Sequence, residues 1–170
     1  MDDHYGCIRA IFEFPEISLI LRYMAFSRLF YHIVFSTHMR QPTINPAHER
    51  QLYAYIVKVS ESMGVKVIRI NSMPGHIHIL VQTDTDFILR DYVRDIKRSS
   101  SRMMKRTPGF EKFNGWNETY AADTVSFHHV PTVKNYIRNQ KEHHDLEKYE
   151  DEIMRIFGIS AEELDNAKSR

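Results

Sequence analysis

His76-Ile77-His78 places two imidazoles at i and i+2 in a segment that reads as a β-strand. Side chains alternate across a strand, so His76 and His78 share one face while Ile77 and Ile79 point to the other. Imidazoles so placed reach one divalent cation. Ten histidines in 170 residues give roughly 0.6 such pairs by chance, and alone the pair is better explained as two histidines on a half-exposed strand face. A second candidate is Tyr136, within Val133-Lys134-Asn135-Tyr136-Ile137-Arg138-Asn139-Gln140. On a helix, Tyr136 and Gln140 are i and i+4 and lie on one face. A phenol of pKa about 10 is a useful nucleophile only when its electrophile is polarised or its proton is removed. A metal beside it would serve the first purpose. With nine tyrosines in the chain, an amphipathic helix with an incidental Tyr is the plain alternative.

The third candidate is electrostatic. Between Ile88 and Arg106 stand Arg90, Arg94, Lys97, Arg98, Arg102, Lys105 and Arg106 against Asp91 and Asp95. Arg94, Arg98, Arg102 and Lys105 recur at helical spacing, Lys97 lies among them, and Ser99, Ser100 and Ser101 interleave as hydroxyl donors. Such a stripe suits a phosphate backbone. A solvated helix face is the alternative.

These residues need elements to position them. Tyr31–Thr37 is β-branched and aromatic and predicts a strand. Asn45 and Pro46 suit the N-cap and first position of a helix carrying Leu52, Tyr53, Ile56, Val57 and Val59, which Gly64 closes. Val65–Ile70 and His76–Gln82 predict two strands joined by the turn Asn71–Gly75. Asp84 or Asp86 can cap the basic helix, whose apolar positions are Leu89, Tyr92, Val93, Ile96, Met103 and Met104, and Pro108-Gly109 ends it. Trp116–Ser126 predicts a fourth strand, and Pro131 opens a last helix running to about Phe157. The order β-α-β-β-α-β predicts an α+β, ferredoxin-like sandwich with an antiparallel sheet, plus an added C-terminal helix carrying Tyr136.

Composition bounds the reading. The chain is 42% hydrophobic and 26% charged, which excludes wholesale disorder. Its net charge of +1 excludes a uniformly basic coat. That near-neutrality is a cancellation: the basic helix is offset by residues 141–170, with nine acidic and five basic side chains. The charge that matters is expected on one helix face beside the histidine pair. Whether the acidic end is a solvated cap or masks the site stays open. A single cysteine, Cys7, permits no intrachain disulfide and points to a reducing compartment. No apolar run approaches 18 residues, so no membrane span is expected. Residues 1–23 open acidic and are interrupted by Glu13, Pro15 and Glu16, a poor fit to a signal peptide. They are read as an extension from an upstream start codon or, equally, as a packed terminal element. The working domain is placed at residues 24–157, with a tail over 158–170.

Four stretches in order resemble the single-tyrosine HUH transposases of the smallest bacterial insertion sequences (the insertion-sequence two-hundred/six-hundred-five group). They are Tyr31-His32-Ile33-Val34-Phe35-Ser36-Thr37 through Arg40, Met73-Pro74-Gly75-His76-Ile77-His78-Ile79-Leu80, Trp116 through Tyr120, and Tyr136-Ile137-Arg138-Asn139-Gln140. The similarity covers about Met24 to Leu146; each motif is weak, and the ordered combination is specific. It implies a ferredoxin-like domain, His76, His78 and Gln140 as ligands of Mg²⁺ or Mn²⁺, and Tyr136 as nucleophile. It also implies single-stranded DNA with hairpin-containing ends as substrate and a 5′-phosphotyrosine intermediate. A homodimer, with active sites that can be composite between chains, and action at the nucleoid of a bacterial cytoplasm follow from it too. No phosphate-cradling glycine motif is needed, because the covalent link conserves the phosphodiester's energy.

Two alternatives keep parts of this reading. A domesticated repeat-processing relative or a rolling-circle nickase would use the same chemistry, and would be told apart by the absence of imperfect hairpins flanking the gene. A non-catalytic module binding single-stranded nucleic acid on the same fold would stack bases on strand aromatics. The third strand carries His76 and His78 instead, and no K/R-G-F/Y-G/A-F run is present.

Overall fold

A computed structural model of the chain describes residues 27–143 and 149–163. The strands are β1 (Leu29–Ser36), β2 (Lys66–Met73), β3 (His76–Thr83) and β4 (Ala121–Thr124). The helices are α1 (Glu49–Ser62), α2 (Leu89–Met104), α3 (Val130–His143) and α4 (Tyr149–Phe157). The sheet runs β2-β3-β1-β4, every neighbour antiparallel, which is the expected ferredoxin-like α+β arrangement. The extension at residues 1–23 and most of the tail lie outside the described residues.

Alternation along β1 and β3 divides the sheet into two faces. Ile33, Phe35, Ile77, Ile79 and Val81 pack with Leu52 and Ile56 of α1 and Tyr92, Val93, Ile96 and Met104 of α2 into the main core. Phe30 and Leu80 on the opposite face pack with Ile137 of α3 and with Val125. His32, His76 and His78 belong to this second face. The histidine pair is therefore buried, at 4% and 0% exposure, where a half-exposed strand face was the plain expectation.

Several expectations change in detail. The fourth strand is confined to Ala121–Thr124, and Trp116 makes only an isolated bridge to Thr37. Between them Lys97 Nζ donates to the carbonyls of Asn117, Glu118 and Thr119 at 3.0, 3.0 and 2.8 Å, tying this segment to α2. Asp84 does not cap α2. Its Oδ1 accepts from the amide of Asp86 in a local turn, and Ile88 precedes the helix without a side-chain cap. Ser100, expected as an exposed hydroxyl, is buried, donating to the Ile96 carbonyl and accepting from Trp116 Nε1. The last helix is two helices. One helix over residues 131–157 would extend about 40 Å and carry residue 152 about 24 Å past Tyr136. Instead α4 returns, and the Tyr136 hydroxyl donates to Glu152 Oε1.

The turn before His76 has little room. The amide and hydroxyl of Thr37 both donate to the Gly75 carbonyl, at 2.9 and 3.1 Å, and a Cβ at Gly75 would stand 2.9 Å from the Arg40 carbonyl oxygen. Gly75→Ala should therefore displace one backbone segment and destabilise the protein by about 1–3 kcal/mol. Urea unfolding would read this, and an unchanged midpoint would show that the turn has slack.

Candidate metal and nucleophile site

The second face of the sheet assembles the site from three elements. β3 supplies His76 and His78, whose ring centroids are 5.1 Å apart. α3 supplies Tyr136 and Gln140 on one face, with Ile137 turned into the small core. Asn71 of β2 anchors that helix, its Nδ2 donating to the Ile137 carbonyl at 2.7 Å. Gln140 is fully buried, and its side-chain amide lies 2.9 Å from His76 Nε2. Tyr136, His76, His78 and Gln140 thus come together within one chain.

α4 adds a fourth group. Glu152 is 1% exposed, with Oε2 at 3.3 Å from His76 Nε2 and Oε1 at 3.5 Å from His78 Nε2. It was not anticipated from the sequence. A usable signal was present: Tyr149, Glu152, Ile153 and Phe157 fall at i, i+3, i+4 and i+8, so the carboxylate sits on the apolar stripe of an amphipathic helix. Tyr149 packs on His76 at 4.8 Å between ring centroids, and Phe157 stacks on His32 at 5.8 Å. Arg40 lies over the Tyr149 ring and pairs with Glu150. The acidic end is therefore partly a cover over the site.

The electrostatics follow from burial. Burial and the adjacent Glu152 carboxylate hold the Tyr136 phenol well above its ordinary value, with Arg155 opposing. Burial also works to raise Glu152, but the His76 hydrogen bond, the His78 charge and the Tyr136 hydroxyl outweigh it and hold the carboxyl far below the usual range. His32 is pushed down to about 4 by burial, against the charges of Glu152 and Asp123.

The donor set fits a divalent cation. Ligand atoms of His76, His78 and Glu152 lie within 4.8 Å of one another. The 3.3 and 3.5 Å separations match two ligands at about 2.1–2.3 Å from one ion. Gln140 Oε1 is buried with no hydrogen-bond partner among the described residues, as an amide oxygen reserved for such an ion would be. Two imidazoles with amide and carboxylate oxygens suit Mn²⁺ better than Mg²⁺.

The proposed DNA-binding residues are elsewhere. α2 packs on the Ile33 and Phe35 face, so the sheet separates the basic stripe from the histidines, and the two are not adjacent as expected. Only the tertiary packing assigns a helix to one side of the sheet. Lys97 is turned to the 117–119 carbonyls, its ammonium pushed down to about 8 by burial, so it shapes the fold and does not project as a phosphate contact. Arg94 pairs with Asp91 at 2.8 Å, and Arg98 approaches Asp95 at 3.5 Å, both on the exposed surface. With Arg90, Trp116 and Tyr120 they line a cleft of about 570 Å³. Arg102 is exposed, and Lys105 lines a separate cleft with Phe110 and Phe113.

Over residues 25–140 the chain matches the family described as "Transposase IS200 like". That span includes His76, His78, Tyr136 and Gln140 and stops short of Glu152. The chain is 28% identical over 125 residues to the ISDra2 transposase TnpA of Deinococcus radiodurans, covering 71% of this chain and 87% of that protein. It is 26% identical over 117 residues to the transposase for insertion sequence element IS200 of Salmonella typhimurium, covering 66% and 76%. The fold is similar to a crystal structure from Deinococcus radiodurans R1, with TM-score 0.52 and 24% identity over 68% of this chain and 93% of that one. It is also similar to a REP-associated tyrosine transposase bound to a REP hairpin, with TM-score 0.54 and 16% identity over 72% of each chain.

Proposed function

The chain belongs to the IS200-like transposase family, and from that premise we propose that it cuts and rejoins single-stranded DNA at insertion-sequence ends, with Tyr136 as nucleophile. The observation that carries the reading is the convergence of Tyr136 and Gln140 on His76 and His78, residues about sixty positions away in sequence, in one buried cluster. The reading places this activity in residues 24–157, with a homodimer as the working form and hairpin-containing ends as substrate. Among the described residues no helix is long and apolar enough to cross a membrane.

His76, His78 and Gln140 would hold the cation, with Glu152 as a fourth ligand. Mn²⁺ or Mg²⁺ there supplies neutralisation of the charge that develops on the scissile phosphate. Tyr136 oxygen bonds to phosphorus as the bond from phosphorus to the 3′ oxygen breaks, leaving a 5′-phosphotyrosine and a free 3′-OH. The phenol proton passes through Glu152, which already accepts its hydrogen bond and is held too far below the usual carboxylate range to keep it, and on to the departing 3′ oxygen, which leaves as the 3′-OH. Because the resting phenol holds its proton tightly, that transfer accompanies P–O bond formation and does not precede it. Rejoining reverses the step, with another 3′-OH displacing the tyrosine. Gln140, one turn from Tyr136, ties the nucleophile's helix to the histidines.

The test is a labelled single-stranded hairpin end incubated with the full chain and Mn²⁺ or Mg²⁺. A protein–DNA band that survives SDS is expected, and EDTA should remove it. A band that persists in EDTA would overturn the cation's role. No band in either metal would overturn the transposase reading of this chain.

Arg90, Arg94, Arg98 and Arg102 would hold the strand or hairpin on the far face of the sheet. Joint replacement of Arg98 and Arg102 by Ala should weaken DNA binding and lower the salt slope by about 2. Fluorescence anisotropy across a salt series measures this. An unchanged slope would return α2 to a solvated face.

A further inference from the structure

We infer that His32 is a positioning residue for the cation site, selecting the tautomer of His78 that presents Nε2 to the ion. The inference rests on the cation reading above and concerns a residue outside the proposed ligand set.

β1 and β3 pair with His32 opposite Leu80 and Val34 opposite His78, so His32 and His78 are diagonal neighbours on one face. Their rings meet nitrogen to nitrogen, with His32 Nε2 at 3.0 Å from His78 Nδ1. Both side chains are buried, at 3% and 0% exposure. Phe157 stacks on one side of the His32 ring, and the Tyr136 ring meets it edge-on at 6.4 Å, which restricts its orientation.

A neutral imidazole carries one N–H and one lone pair. His78 Nε2 is the nitrogen aimed at Glu152 and the cation position. To coordinate, Nε2 must offer its lone pair, so the proton must sit on Nδ1. A buried Nδ1–H with no acceptor is unfavourable. The carboxylate of Glu152 would then draw the proton to Nε2 and close that nitrogen to the ion. His32 Nε2, accepting from Nδ1–H, opposes this. Metal-bound histidines commonly have their second nitrogen tied to a carboxylate or carbonyl. Here a neutral imidazole takes that place and adds no charge.

The experiment uses the full chain without DNA. Mn²⁺ affinity, read from the EPR signal of free Mn²⁺, should fall about 10–100-fold in His32→Leu, which fills the volume but accepts no hydrogen bond. His32→Gln, with an amide oxygen as acceptor, should recover most of the loss. Equal losses in both variants would overturn the inference, because an acceptor at this position would then make no difference. Wild-type affinity in a folded His32→Leu would overturn it as well. Should His32→Leu not fold, ¹⁵N chemical shifts of the His78 ring in the Mg²⁺-saturated wild type decide the question. A protonated Nδ1 is expected, and a protonated Nε2 overturns the inference. Failure of the wild type to bind Mn²⁺ at all would remove the cation reading itself, an outcome distinct from the others.

Discussion

Tyr136→Phe should abolish the SDS-resistant DNA adduct, lowering its rate of formation by at least about a thousandfold. The substitution removes one oxygen and leaves the ring, which packs edge-on against His32 and His78 at 6.4 and 6.1 Å. Stability should therefore change by no more than about 1–2 kcal/mol, the cost of one lost hydrogen bond to Glu152. DNA binding should persist, since the basic helix lies across the sheet from Tyr136. Denaturing gels for the adduct and anisotropy for binding separate the two effects. Adduct formation by the Phe variant would mean that another residue is the nucleophile, whatever the family resemblance.

The second large effect is expected at Glu152. Glu152→Ala should weaken Mn²⁺ binding about tenfold or more and slow adduct formation by about 10²–10⁴. On the proposed mechanism it would remove one oxygen ligand and the acceptor of the phenol proton together. Glu152→Gln keeps the shape and one carbonyl oxygen, so it should bind the cation better than the Ala variant while remaining slow. The alternative outcome is informative. The carboxylate is 1% exposed, within 3.5 Å of both histidines, and α4 covers the cluster. If Glu152→Ala forms adduct faster than the wild type, the carboxylate holds the place of a DNA phosphate, and α4 is a plug to be displaced. A rate measured at saturating Mn²⁺ distinguishes a weakened cation site from a lost proton acceptor.

How far the site was legible depends on whether its parts share an element. The pairing of His76 with His78 follows from the two-residue repeat of a strand, and that of Tyr136 with Gln140 from the helical turn. Neither needs knowledge of the rest of the chain. Glu152 is different. It reaches Tyr136 only because α4 lies against α3's side of the sheet, and a continuous helical pattern to Phe157 does not announce that placement. Lys97 is a similar case. Its spacing on α2 suits a phosphate-binding stripe, but three carbonyls of a distant segment hold its ammonium, and those acceptors are invisible to a helical projection.

Readable from the chain alone were the order of strands and helices up to α3, the face each candidate residue occupies on its own element, and the presence of a basic helix and an acidic end. These depend on backbone periods and local composition. Packing between elements settled that the histidines are buried, that α3 and α4 lie on their side of the sheet and α2 on the other, and that His32 stands behind His78. It also brought Tyr136 against His78 within one chain. Those facts are set by which faces pack together across long stretches of sequence, and a one-dimensional pattern contains the faces but not their partners.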